Sequence, residues 1–162
     1  MRKYLYSIFI CSVFIFICAC SSSTKALQRG KVHIITLTVE TNKISSSNIP
    51  QTCNFGQDKV IPNRDFTTEV EVGDYIIWQG KPKDSGRKND TVIITSIIHQ
   101  AGPNFFPQDT LEGDNQGRVP GYIDSGKEPE VSKYSLQFEV INNGVKINET
   151  FVIDPKIRIR KN

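Results

Sequence analysis

The chain has 162 residues, with 20 Lys and Arg against 17 Asp and Glu, for a formal net charge of +3. That length fits one ordinary domain, with or without an addressing segment, and is too short for an eight-stranded α/β barrel. So mild a charge leaves no footprint for nucleic acid, and 38% hydrophobic with 23% charged residues exclude a wholly disordered chain.

Met1, Arg2 and Lys3 make a short basic start, and Tyr4 to Ala19 follows without a charge, broken only by Ser7 and Ser12. A basic start before an apolar core is the pattern of a secretion signal. An uncleaved anchor is the alternative, but the run falls short of the ~20 apolar residues a spanning helix needs. Its end, Ile17-Cys18-Ala19-Cys20, resembles the bacterial lipobox, with Cys18 where Ala, Ser or Thr is usual. The resemblance runs from Met1 to Cys20. It implies cleavage before Cys20, a diacylglyceryl thioether on its sulfur and usually a third acyl chain on its nitrogen. Membrane lipid is then a partner, and acyl chains contributing ~0.8 kcal/mol per buried CH2 would hold firmly. Ser21, where an Asp often signals inner-membrane retention, points to the outer membrane in a cell that has one. The expected division is a signal peptide over 1–19, a lipidated Cys20 with a polar tether over 20–30, and one domain over 31–162. Loss of Arg2 and Lys3 lowers the net charge to +1.

From Cys20 onward there are 17 Ile and 11 Val against 4 Leu and 2 Ala. β-Branched side chains are stiff at χ1 and suit a pleated surface, whereas Ala and Leu favour helix. Strands are predicted in chain order. Lys31 to Thr41 is the first, with Val32, Ile34, Leu37 and Val39 as its apolar set. Phe66 to Val72 alternates, Gly73-Asp74 turns, and Tyr75 to Gln79 is a short apolar strand, central in its sheet, that buries Trp78. Lys81 to Asp90 is a hydrophilic loop, and Thr91 to Gln100 a long β-branched strand. Lys133 to Asn142 points Tyr134, Leu136, Phe138 and Val140 inward. Asn143-Gly144 is a hairpin signal, after which Val145 to Ile153 returns along its partner. Lys156 to Arg160 is a last strand, placed at an edge by its charges. The expected fold is therefore all-β, an antiparallel β-sandwich of about seven strands.

The stretch from Glu69 through Gly73-Asp74 to Trp78 resembles the cupredoxin pattern of strand, Gly-Asp turn and strand ending in Trp. Phe151 to Ile157 resembles the ends of small secreted β-sandwich domains. These likenesses imply a cupredoxin-like or immunoglobulin-like sandwich. They do not imply copper, because a blue-copper site needs two imidazoles, a thiolate and often a thioether. Here Cys53 lies early, the second half of the chain has no Cys, and Met1 is the only Met. No cofactor is expected.

Three sets of residues remain for function. Ala101 to Glu130 shows no strand pattern, is rich in Gly and Pro, and mixes Phe105, Phe106 and Tyr122 with Asp109, Glu112, Asp114 and Asp124. Long loops of this kind are often functional, and such aromatics suit recognition of an envelope protein or a glycan. Phe105, Phe106, Asp109, Asp114 and Tyr122 are thus the ligand-binding candidates. The alternative is that the rings fold back over the core. The acids lack the spacing of an EF-hand loop. The second set is His33, His99 and Cys53, which could serve a metal- or redox-handling protein if the fold joined them. The third is a pair of carboxylates distant in sequence. No phosphate loop, nucleophile elbow or zinc-protease motif is present, so catalysis has no sequence support. The sequence reads best as a lipid-anchored envelope binding or structural module.

Overall fold

A computed structural model describes residues 30–160. The leader and Cys20 lie outside the described residues. The described residues form eleven strands, one α-helical turn and a 3-10 turn at Asn63–Asp65: β1 (Val32–Val39), α1 (Ile49–Thr52), β2 (Cys53–Asn54), β3 (Thr67–Val70), β4 (Tyr75–Pro82), β5 (Thr91–Ala101), β6 (Thr110–Glu112), β7 (Arg118–Tyr122), β8 (Val131–Asn142), β9 (Val145–Lys146), β10 (Phe151–Ile153) and β11 (Lys156–Ile159). One sheet has the order β2-β1-β4-β7. The other runs β3-β11-β8-β5-β6, with β9 and β10 also pairing to β8.

Both sheets are mixed, which corrects the antiparallel expectation. β1 pairs in parallel with β4, and β11 in parallel with β3. The reason is that β3 and β4, consecutive in the chain, belong to different sheets. The turn between them crosses from one layer to the other at Gly73, whose φ of +97° suits glycine.

One core lies between the layers. Tyr134, Leu136, Phe138 and Val140 of β8 are all buried, as their alternation predicts. Trp78 of β4 reaches across to them. Its indole Nε1–H donates to the Tyr134 hydroxyl at 2.9 Å, and its ring packs edge-on against Tyr134 and Phe106. The far ends of the layers are joined by Asp90, which begins the approach to β5. Its carboxylate accepts from the Thr41 hydroxyl and from the Asn143 backbone N–H.

Four further expectations change. Ala101 to Glu130 is not structureless: it carries β6 and β7. β7 has Pro120, tolerated because β7 is an edge strand that pairs only with β4. It also has Gly121, where an added Cβ would lie 2.9 Å from the Trp78 ring. Val145 to Ile153 is two short strands, β9 and β10, rather than one. β11 is interior, between β3 and β8, and its charges sit on the solvated face with Arg158 opposite Glu69. Finally, β1 buries Ile35, Leu37 and Val39, while Val32 and Ile34 point outward.

Leaving a buried indole N–H without its acceptor costs about 1–3 kcal/mol. Tyr134→Phe is therefore expected to lower the unfolding free energy by that amount in a urea titration. An unchanged midpoint would show that the Trp78–Tyr134 bond is not needed.

Candidate functional site

The sequence-predicted candidates are not gathered into one site. Phe105 and Phe106 are 0% and 7% exposed, so both rings cap the core and offer no surface to a ligand. Asp114 closes the β6–β7 turn, accepting from the backbone N–H of Gln116 and Arg118 and from the Arg118 guanidinium at 2.8 and 3.1 Å. Those bonds hold its carboxyl below the usual carboxylate range, the Arg118 backbone N–H first among them. Asp109 accepts from the Asn104 amide at 2.9 Å. Asp109 and Asp114 are thus exposed but engaged in local turn bonds, while Tyr122 lies on the open face of the four-stranded sheet.

The metal and redox candidates are also apart. His33 stands near the start of β1, while Cys53 pairs with Val39 near its end. Six residues of strand separate those positions by roughly 20 Å. His99 is on β5 in the other sheet, its Nε2 2.9 Å from the Gly102 carbonyl. Among the described residues no group of three His, Cys, Asp or Glu could hold a metal ion. Cys53 is buried, and burial pushes its thiol up to about 12 despite the neighbouring Thr52 hydroxyl. A thiol so rarely ionised is a poor nucleophile.

What the fold does assemble is an apolar surface on the outer face of the four-stranded sheet. Register pairs Val32 with Tyr75 and Tyr75 with Tyr122. The next outward row is Ile34, Ile77 and Pro120. Val32 is 59% exposed, Ile34 62%, Tyr75 49% and Tyr122 39%, and the two tyrosine rings lie 5.0 Å apart. The third row is polar, Thr36, Gln79 and Arg118, with the Gln79 amide donating to the Thr36 hydroxyl. Beyond it stand Thr38 opposite Lys81, then Glu40 bonded to Lys83. The face thus grades along the strands from apolar to charged.

Sequence reading missed this face, though a signal was present. Tyr75 to Trp78 is continuously apolar, and β1 carries apolar residues in both phases of its alternation. Such a pattern marks a strand covered on both faces. Here one face is covered by the core and the other is open. Contiguous exposed apolar surface makes this face the candidate site.

The apolar end is fixed by Asp74, a buried carboxylate just after the Gly73 turn. Its Oδ1 accepts from the Lys31 backbone N–H at 2.7 Å. Its Oδ2 accepts from the Glu71 backbone N–H at 3.0 Å and lies 2.7 Å from His33 Nε2. The Tyr75 N–H in turn donates to the Lys31 carbonyl. Gly30 lies so close to this turn that an added Cβ would sit 1.7 Å from the Gly73 carbonyl oxygen. The start of β1 is therefore clamped to the start of β4, which sets the rows of the outer face.

Burial, the largest single influence on Asp74, raises its pKa, but the bonds from His33, Glu71 and Lys31 together bring it below the ordinary 3.8. The folded state then holds this proton less tightly than the unfolded chain does. The stability so gained is complete above the ordinary value and is lost as pH falls through the folded one. Asp74→Asn is expected to lower stability at neutral pH and to flatten the loss of stability below about pH 4. A series of urea titrations from pH 7 to pH 2 checks this. An acid limb as steep as in the wild type would assign the effect to other carboxylates.

No protein-family model matches the chain, and no curated protein matches it in sequence. Among solved structures it is similar to the crystal structure of an inclusion body protein, PixA, from Burkholderia cenocepacia J2315. The two share 11% identity with a TM-score of 0.56, over 83% of this chain and 99% of that one. A likeness at this identity is one of fold: a mostly β domain of two mixed sheets.

Proposed function

We propose that the chain is a lipid-anchored module of the cell envelope that works by binding or structural contact. One observation carries the reading: the basic start, apolar core and Ile17-Cys18-Ala19-Cys20 ending, a lipobox-like leader in front of a β domain. The anchor is Cys20, its membrane partner is lipid, and the outer membrane is its place in a cell with two membranes. We take the two sheets over one core as the layers of a β-sandwich, cupredoxin-like or immunoglobulin-like. The binding surface moves from the Ala101 to Glu130 loop to the outer face of the four-stranded sheet, because Phe105 and Phe106 are buried and Val32, Ile34, Tyr75 and Tyr122 are exposed. A metal- or redox-handling role has less support, since Cys53 is buried with a raised pKa and stands well apart from His33 along the sheet.

The test is an intact mass of the native protein extracted from the membrane fraction. The expected species is residues 20–162 carrying acyl chains, and Cys20→Ser is expected to abolish both processing and acylation. A full-length or unacylated mass for the native protein would overturn the proposal.

A further inference from the structure

Resting on that anchored reading, we infer that the apolar end of the outer sheet face lies against the lipid bilayer itself, so that the domain contacts the membrane through Val32, Ile34, Tyr75, Ile77 and Tyr122 as well as through Cys20. The occupant of the face follows from where the anchor tether joins the domain. Gly30 abuts the Gly73 turn, and Lys31 is bonded to Asp74 directly behind the first apolar row. From Cys20 to Gly30 is ten residues, and a fully extended chain spans at most about 3.3–3.6 Å for each. The acylated sulfur therefore stays within roughly 35 Å of this end of the sheet.

The gradient of the face fits the same placement. Successive rows on one face of a strand are ~6.6 Å apart, so the two apolar rows match the ~5–10 Å to which interfacial segments enter the headgroup region. Polar Thr36, Gln79 and Arg118 come next, and Lys81, Lys83 and Glu40 stand farthest from the tether. Tyr75 and Tyr122 in the first row have the amphipathic rings that favour a membrane–water boundary. Val72, 45% exposed, adds apolar surface on the turn that Gly30 touches. Of the acids of that turn, Glu71 is paired with Lys31 and Arg160, and Asp74 is buried with its oxygens bonded to the Lys31 and Glu71 backbone N–H groups and to His33.

The experiment uses the native acylated protein in phosphatidylethanolamine–phosphatidylglycerol vesicles, with an environment-sensitive dye on Ile34→Cys or, as control, on Thr38→Cys two rows away. Both positions lie on the outer face, and buried Cys53 does not compete for the dye. Vesicle flotation reads the anchor separately. Expected is flotation of both proteins, with the Ile34→Cys dye blue-shifted and its emission lost to lipid-borne quenchers, and the Thr38→Cys dye unaffected. Flotation with an Ile34→Cys dye as wet as the control would overturn the inference and leave the anchor standing. A blue shift without lipid quenching, accompanied by cross-linking between copies, would overturn it in favour of a second copy on the face. Failure to float would remove the anchor and the inference together.

Discussion

The carboxylate of Asp74 is the constraint from which most of this structure follows. It is buried, and it collects the backbone N–H groups of Lys31 and Glu71 together with the His33 imidazole. A buried carboxylate without such partners would be costly, so the bonds come as a set. With the set made, β1 can only lie parallel to β4, Val32 beside Tyr75, and the chain can only enter the domain at the Gly73 turn. The turn itself carries the chain from β3 in one sheet to β4 in the other. One short segment therefore sets the layer crossing, the register of the four-stranded sheet and the place where Gly30 leads into β1.

That register has a functional consequence. A slip of one residue would turn Ile35, Leu37 and Val39 outward and bring His33 onto the outer face. In the register observed, the core takes those three and leaves Val32 and Ile34 in the open with Tyr75, Ile77 and Tyr122. The apolar surface is the remainder of a strand apolar in both phases. It lies at the end where a lipid anchor would join, and charged groups lie at the other. No helix among the described residues is long and apolar enough to cross a membrane. An anchor in the leader and an apolar strand end would supply contact by another route.

Much of the fold was legible in the sequence because it depends on local pattern. The alternation of Tyr134, Leu136, Phe138 and Val140, the Asn143-Gly144 hairpin and the burial of Trp78 all follow from period-two spacing and turn chemistry. What was not legible depends on partners far along the chain. Asp74 meets Lys31 from 43 residues away and Asp90 meets Thr41 from 49, and neither acid has a local signature. β7 was hidden by Pro120 and Gly121, which read as loop residues until β4 and the Trp78 ring are placed beside them. Phe105 and Phe106 looked like loop aromatics for the same reason. The outer face was missed because apolar residues in both phases of β1 do not say which phase the core will take.

The most direct test of this account is amide hydrogen exchange on Asp74→Asn. If Asp74 clamps the start of β1 to β4, the substitution will strip protection from the amides of Lys31, Glu71 and Tyr75 and from the first residues of β1, while β8 keeps its own. Protection at those amides equal to the wild type would contradict the account, and the position of the apolar face would need another cause.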